Sequence, residues 1–174
     1  GESVFVVGGT GGVGSTVVDR SGVVPGLDLT VADPGSVVWG AGGLAVDGAT
    51  IVSSGPATKV VDAVVASGEF SVEAWVTASN ATQGGPARLV SIGESSSARN
   101  VMLGQGAWGS LPDDTFAART RTSSAVKGEP TLFTPAGSAG TELVHVVLTR
   151  DVVGVRTLYV DGVAAGVDTL GGAL

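Results

Sequence analysis

The 174-residue sequence contains no cysteine, so neither a disulfide framework nor a cysteine-based zinc site is available to this chain. Basic residues are also scarce: nine Lys and Arg stand against sixteen Asp and Glu, which gives a net charge of −7. A nucleic acid or an anionic membrane surface needs a basic face, so this balance argues against both as partners. No apolar run reaches the roughly 18 residues of a membrane-spanning helix, so the sequence predicts no membrane span.

Valine, alanine and glycine make up much of what is present. Hydrophobic residues account for 43% of the chain, and glycine occurs 29 times. Valine-rich runs separated by glycine favour strands and turns over helices. The clearest example is Leu143–Gly162, where β-rich runs are joined by a turn around residues 151–154 and then meet Asp161-Gly162, a pair typical of a tight hairpin. This segment indicates an all-β protein.

The rest of the sequence supports the same class. Alternation in Phe70–Val76 predicts a strand with one apolar and one more polar face. A second Asp-Gly pair, Asp47-Gly48, predicts another hairpin. One short helix is predicted near residues 57–66, because Pro56 precedes it and Gly68 follows it. We therefore expect a single domain, residues 1–174, built as an antiparallel two-sheet sandwich with one short helix.

A glycine-rich segment near the N-terminus imitates a nucleotide-binding loop. Val4–Val7 followed by the glycines of residues 8–14 has the appearance of a first strand and a phosphate loop. The helix that should follow would contain the β-branched Thr16-Val17-Val18 run, and no strand–helix alternation comes after it. We therefore expect a glycine-rich connection between strands and no nucleotide cofactor.

No set of catalytic residues can be assembled from the sequence. Glu69 and Glu73 are four residues apart, but Ser71 separates them, and the expected role of such acids is a cross-strand or rim carboxylate. His145 is the single histidine, and its place between Val144 and Val146 predicts a core or near-core imidazole. We therefore predict no catalytic residues.

A cation site is the one metal hypothesis that the sequence leaves open. Ca²⁺ takes six to eight oxygen ligands from carboxylates and loop carbonyls. Asp113 and Asp114 follow a loop rich in glycine and precede a strand, which makes them the candidate ligands. Asp19, Asp28 and Asp33 are further acids at loop edges.

One of the three tryptophans, Trp108, is the candidate ligand-binding residue. Trp39 and Trp75 lie in apolar strand patterns and are expected to be core or half-buried, whereas Trp108 lies in a glycine-rich loop. An exposed aromatic side chain offers a large apolar area with a polar handle, which suits sugars and protein partners alike, although a loop covering the sandwich edge is the alternative. Arg99, Asn100 and Arg119 are the candidate polar contacts beside it.

An ordered set of motifs resembles a known family. The chain resembles the laminin-G-like, concanavalin A-like lectin/glucanase jelly-roll domains of bacterial extracellular proteins, over nearly its whole length. The motifs that carry the resemblance are Val17–Gly22, Leu27–Pro34, Phe70–Val76, Thr82–Ile92, Arg99–Gln105, His145–Asp151 and Leu158–Gly162.

The resemblance implies a non-catalytic module that is secreted or displayed at the cell surface. Such a module recognises or adheres to a glycan or a protein, with Ca²⁺ as the candidate cofactor. The first alternative is a structural or assembly subunit whose open sheet edge is completed by another chain. A glycan-active hydrolase is a remote alternative, because the closely spaced acid motif of the hydrolytic relatives is missing.

The resemblance also implies that the Asp161-Gly162 hairpin is not the last part of the jelly roll. Members of the family continue past this hairpin with at least one or two further strands, whereas this sequence stops at Leu174. The expectation is a sandwich that lacks its C-terminal closing strands. A second polypeptide would then fill those positions, or they would remain an exposed edge.

Overall fold

The computed structural model describes residues 14–83, 85–95, 97–106 and 112–174. By its internal contacts the chain divides into two compact units, Gly1–Ala63 and Val64–Leu174. The predicted strand Val4–Val7 and most of the glycine-rich segment lie outside the described residues. The expectation of a single domain over residues 1–174 stays a prediction.

The described residues form short strands with one α-helix. The helix α1 spans Thr58–Ser67, within a residue or two of the predicted 57–66. Asp33 caps a 3-10 turn at Pro34–Ser36. The strands are β1 (Thr16–Val17), β2 (Leu29–Val31), β3 (Val37–Gly40), β4 (Gly43–Val46), β5 (Ile51–Ser53), β6 (Phe70–Val76), β7 (Ala87–Gly93), β8 (Arg99–Gln105), β9 (Phe116–Thr120), β10 (Leu132–Phe133), β11 (Val144–Arg150), β12 (Val155–Val160) and β13 (Val163–Thr169).

The first unit contains two small antiparallel sheets, with the orders β1-β2-β5 and β3-β4. Val17, Val31 and Val37 form its buried cluster, against which Trp39 packs half-buried, as predicted. The Asp47-Gly48 hairpin predicted from the sequence is wrong, because β4 pairs with β3 whereas β5 pairs with β2. Gly48 has a φ of 68°, but Asp47 does not adopt a positive φ, and a type I′ turn needs both.

The second unit is an antiparallel sandwich. Its sheets have the orders β10-β9-β8-β7 and β13-β12-β11-β6. Side chains from both sheets meet in one buried cluster: Val101, Leu103, Phe116, Ala118 and Leu132 come from the first sheet, and Val146, Leu148 and Leu158 from the second. The prediction of an all-β, two-sheet antiparallel fold with one short helix is thereby confirmed.

The Asp161-Gly162 hairpin forms as predicted. Asp161 has a φ of 50° and Gly162 a φ of 80°, the two positive values that a type I′ turn requires. Asp161 is the one non-glycine residue with a positive φ among the residues that the structure describes. The hairpin joins β12 to β13, and it places the Asp161 side chain against β11.

Candidate functional site

An exposed aromatic cluster lies on the outer face of the sheet β13-β12-β11-β6. The Trp75 and His145 rings are stacked, with their centroids 4.4 Å apart and their planes inclined by 13°. Nε2 of His145 lies 2.9 Å from Oε2 of Glu73. Trp75 is 68% exposed, and the Glu73 side chain is 53% exposed. These three residues, Trp75, His145 and Glu73, are called the Trp75 cluster below.

Strand register produces this cluster. Trp75 lies directly opposite His145, and Glu73 lies opposite Val147, two residues away on the same face. The backbone N–H and C=O of His145 bond to Asp161, on the side away from β6. Trp75 and His145 are therefore a non-hydrogen-bonded pair, the kind that brings cross-strand side chains closest in an antiparallel sheet.

Two further hydrogen bonds hold the backbone of His145 in place. The His145 backbone N–H donates to Oδ1 of Asp161 over 2.9 Å, and the Asp161 N–H donates to the His145 carbonyl over 2.8 Å. One face of the Trp75 indole lies against the imidazole, so the part of the indole that is exposed to solvent is the part that the imidazole does not cover. The result is a preorganised aromatic surface with a carboxylate beside it, which suits recognition better than nucleophilic chemistry.

The structure corrects two sequence predictions at this site. Trp75 is not a core or half-buried residue, because it belongs to the outward-facing set of β6. His145 is not a core imidazole either, because it shares that outer face through its pairing with Trp75. The alternation of Phe70–Val76 already placed Trp75 on the face of Ser71 and Glu73, and that was the signal that could have identified it. The interpretation of Glu73 as a cross-strand carboxylate is confirmed.

The candidate polar contacts lie on the other sheet of the sandwich. Arg99 and Asn100 begin β8, and the Asn100 carbonyl accepts a hydrogen bond from the Arg121 N–H over 2.6 Å. Arg119, on the neighbouring strand β9, donates from Nε to Oγ1 of Thr131 over 2.7 Å and lies 3.3 Å from Oε1 of Glu129.

Arg99 and Arg119 are close enough to influence each other electrostatically. Burial, and secondly the positive charge of Arg99, lower the pKa of Arg119. The structure therefore groups Arg99, Asn100 and Arg119 on adjacent strands, but it does not join them to the Trp75 cluster. Trp108 lies outside the described residues, and its role stays a prediction.

The candidate metal ligands do not form a cluster. Asp113 and Asp114 are half-buried before β9, and the Asp114 carbonyl accepts a hydrogen bond from the Ala139 N–H over 2.9 Å. Over residues 14–83, 85–95, 97–106 and 112–174, no three His, Asp or Glu side chains are placed to hold a metal ion. A Ca²⁺ site at Asp113 and Asp114 stays a prediction.

Asp19 has a structural role in the first unit. Its carboxylate pairs with the Lys59 ammonium, and the two side chains are 1% and 6% exposed. The same carboxylate accepts hydrogen bonds from the backbone N–H groups of Ser21 and Leu27 over 2.8 and 2.7 Å. The Lys59 ammonium, above all, holds the pKa of Asp19 well below its usual range. The interpretation of Asp19 as a loop-edge acid for a cation gives way to this ion pair.

Asp28 and Asp33 also take part in local hydrogen bonds. Asp28 accepts from the Asp19 N–H over 2.8 Å. Asp33 accepts from the Ser36 hydroxyl and the Gly35 N–H, and these two bonds lower the pKa of its carboxyl. Both acids therefore support loops of the first unit.

Two arginines lie inside the sandwich, which sequence reasoning missed. Arg156 is fully buried; it donates from Nε and Nη2 to Asp168 over 2.9 and 2.5 Å, and from Nη2 to the Pro130 carbonyl over 2.9 Å. Arg150, its direct partner on β11, is 4% exposed and donates to the carbonyls of Gly68 and Gly172. Both side chains project from the inner face of their strands. Their position close to the turn at residues 151–154 did not indicate this orientation.

No helix among the described residues has the length and apolarity needed to cross a membrane. Residues 52–174 match a laminin G family model that is described as the concanavalin A-like lectin/glucanases superfamily. The match covers more than two thirds of the chain and includes both strands of the Trp75 cluster. Searches of curated proteins and of solved structures gave no match.

Proposed function

Because the chain belongs to the concanavalin A-like lectin/glucanases superfamily, we propose that it is a non-catalytic recognition or adhesion module that binds a glycan or a protein. Binding to carbohydrate or protein in general follows from the family. Our proposal adds the absence of catalysis, an extracellular or cell-surface location and the Trp75 cluster as the binding surface. One observation carries it: a tryptophan that is 68% exposed on a regular strand and held against a fixed imidazole.

The energetics favour such a residue as a binding anchor. Tryptophan is enriched among the residues that dominate binding energy, because it removes a large apolar area from water on contact. A side chain already held by its neighbours loses little conformational entropy when a ligand arrives. The stacking on His145 and the bond from His145 to Glu73 supply this preorganisation.

The acidic residues support a non-catalytic reading. Glu73 is hydrogen-bonded to Nε2 of His145, Asp168 accepts hydrogen bonds from Arg156, and Asp161 accepts one from the His145 N–H. Each of these carboxylates stabilises the fold or the aromatic surface. The remote alternative, glycan hydrolysis, requires two carboxylates facing each other across a cleft. Incubation with a panel of polysaccharides tests it, and a reducing-sugar product that the Glu73→Gln variant no longer forms would establish hydrolysis.

The binding proposal is tested by comparing two variants on glycan arrays and in pull-down assays, each with and without Ca²⁺. Trp75→Ala removes the anchor, and we expect its affinity for any captured ligand to fall by at least tenfold, or about 1.4 kcal/mol. Val163→Ala, which truncates a side chain that is 69% exposed on the same sheet, serves as the matched control and should bind normally. The proposal would be contradicted if the arrays and pull-down assays reveal no ligand, or if both variants bind the ligand equally well.

The Ca²⁺ arm of the same experiment tests the metal hypothesis separately. If Asp113 and Asp114 ligate Ca²⁺, then the Asp113→Asn variant should lose the Ca²⁺-dependent part of binding and any thermal stabilisation by Ca²⁺. The Ca²⁺-independent part should remain, because it depends on Trp75. Isothermal titration with CaCl₂ measures the ion directly, and equal heats for the parent chain and the variant would rule out these two ligands.

A further inference from the structure

His145 gives the Trp75 cluster a group that responds to pH. Histidine is the residue type whose charge ordinarily changes between pH 5 and 8, and this chain contains a single one. The imidazole contacts both other members of the cluster, because it is stacked on the Trp75 indole and its Nε2 is hydrogen-bonded to Glu73. A proton taken up by His145 therefore acts on the indole and on the carboxylate at once.

The bond to Glu73 fixes the proton of the neutral imidazole on Nε2. An ionised carboxylate only accepts hydrogen bonds, so Nε2 donates over the 2.9 Å to Oε2 of Glu73. Nδ1 then carries a lone pair, and it is the atom that binds a second proton. The His145 side chain is 22% exposed, so solvent can supply this proton.

The strands hold the two rings together in both protonation states. Trp75 and His145 lie directly opposite each other on β6 and β11, and the backbone of His145 exchanges two hydrogen bonds with Asp161. The bond to Glu73 also persists, because an imidazolium still donates from Nε2. Protonation therefore changes the charge that lies against the indole and leaves the position of the imidazole unchanged.

Glu73 is the charged residue that β6 places beside His145. It is the single charged residue of that strand, and its side chain is 53% exposed. On β11 itself, the other charged residue is Arg150, which projects into the interior of the sandwich. Carboxyl groups are ordinarily ionised between pH 5 and 8. The imidazolium therefore forms beside a carboxylate and away from the nearest cation of its own strand.

The other neighbouring strand, β12, leads into the turn that carries Asp161. The carboxylate of Asp161 accepts the His145 backbone N–H. Tyr159 shares the outer face, and a phenol is uncharged between pH 5 and 8. Arg156 and Asp168, the charged residues of β12 and β13, bond to each other in the interior. Within the described residues of this sheet, His145 is therefore the group on the outer face that ordinarily changes charge in this range.

A positive charge on one face of the indole weakens what the other face can bind. An aromatic face attracts cations and positively polarised C–H and N–H groups, because its π-electrons carry partial negative charge. An imidazolium that lies against the Trp75 indole draws on the same electron density, and it also neutralises the Glu73 carboxylate. A ligand that stacks on Trp75 through such groups is therefore held less tightly when His145 is charged.

We propose that the Trp75 cluster is a pH-responsive binding face, on which the uptake of a proton by His145 weakens the binding of a ligand to Trp75. The chain binds its ligand at neutral pH and releases it at about pH 5.5. The inference deepens the proposed function and rests on it, because it describes the regulation of the same surface. The contacts that carry it all lie within the Val64–Leu174 unit.

NMR tests the coupling of the two rings without any ligand. His145 gives the single imidazole Cε1–H signal of the chain, and the indole N–H signal of Trp75 is identified by its loss in Trp75→Phe. Between about pH 8 and pH 5, we expect the Trp75 signal to move with the same midpoint as the His145 signal. In His145→Phe, whose ring cannot be protonated, this transition should be absent.

Tetramethylammonium is the probe of the indole face, because quaternary ammonium ions bind to aromatic faces. Its dissociation constant, read from the Trp75 indole signal, should rise about threefold between about pH 7.5 and pH 5.5. The ratio of the two constants is compared within each variant, so a variant that changes the affinity itself is still informative. The ratio should be close to one in His145→Phe and in His145→Gln, which keeps a hydrogen-bond donor without the charge.

Tyr159→Phe is the matched control. It removes the phenol of the same outer face and keeps His145, so its ratio should equal that of the parent chain. Far-ultraviolet circular dichroism at both pH values separates a change in binding from a change in folding. If one of the two His145 variants fails to fold, the other still provides the comparison.

The outcomes separate this inference from the proposed function. A Trp75 signal that does not follow His145, no binding of the probe at Trp75, or the same ratio in the parent chain and both His145 variants would overturn the pH response. A captured glycan or protein that requires Trp75 but binds equally at both pH values would sustain the proposed function and overturn the pH response alone. Blank arrays and pull-down assays beside a pH-dependent probe would overturn the proposed function and support the response of the Trp75 cluster.

Discussion

Asp19 and Lys59 show at the scale of single residues what an enclosed charge requires. The ammonium donates to the Asp19 carboxylate, to the Ser21 hydroxyl over 3.1 Å and to the Val23 carbonyl over 2.7 Å. The Lys59 ammonium thereby uses its three N–H donors. These interactions offset the free-energy cost of removing the two ions from water. Removing one partner leaves the other buried without its counter-ion.

We predict that Asp19→Asn destabilises the chain by about 3 kcal/mol at pH 7. The folded state lowers the pKa of Asp19 relative to the unfolded value near 3.9, so the carboxylate contributes its stability above that value and loses it as pH falls. The difference between the parent chain and the variant should therefore shrink below about pH 4. Urea unfolding, read from amide signals of residues 14–63, measures it.

Asp47→Asn is the matched control for this prediction. Asp47 is an exposed acid in the same unit, so its substitution should change the free energy of unfolding by less than about 0.5 kcal/mol. A destabilisation by Asp19→Asn that is the same at pH 7 and at pH 3.5 would contradict the role assigned to the ion pair.

At the scale of elements, the hairpin between β12 and β13 depends on Asp161 in two ways. Asp161 adopts a φ of 50°, and its side chain accepts the His145 N–H of β11. Asparagine also tolerates this backbone region and offers an amide oxygen in the same place, whereas alanine offers neither advantage.

We predict that Asp161→Ala lowers the free energy of unfolding by about 1–2 kcal/mol and that Asp161→Asn changes it by less than about 0.5 kcal/mol. Urea unfolding of the two variants beside the parent chain measures the difference. Equal stability of the alanine and asparagine variants would show that neither the backbone conformation nor the bond to His145 matters.

The sequence predicts most strands of the sandwich because alternation and turn residues act locally. Asp161-Gly162 illustrates this, since both residues adopt the conformation that the pair favours. Asp47-Gly48 carries the same signal, but pairing of β5 with the distant β2 prevails over it. The sequence does not predict the two-residue strand β10, which lies in a segment rich in proline and glycine. Its pairing with β9 defines this strand, and its own residue pattern does not.

The candidate site was harder to predict because it depends on register between strands that are distant in sequence. Trp75 and His145 are seventy residues apart, and only their pairing brings their rings together. The sequence gives the faces of each strand separately, but not which residues lie opposite each other. Arg150 and Arg156 escaped prediction for the same reason, since their carbonyl and carboxylate partners come from several segments.

At the scale of the whole molecule, net charge constrains the choice of partner. The chain carries −7, so a polyanion should be repelled rather than bound. We predict no retardation of double-stranded DNA or heparin in mobility-shift assays at about 50 mM salt, where electrostatic attraction is strong. Polylysine, the positive control, should associate with the chain under these conditions. Retardation of DNA at micromolar protein would contradict the prediction.

The two arginines inside the sandwich make the surface more acidic than the formal charge indicates. Arg150 and Arg156 contribute two of the nine basic residues, yet they are 4% and 0% exposed. Solvent and incoming molecules therefore meet a shell that is depleted of cations, while part of the compensating charge is enclosed in the interior. At long range a positively charged partner is attracted by the net charge of −7, and at short range it meets a shell of acidic groups with few competing cations.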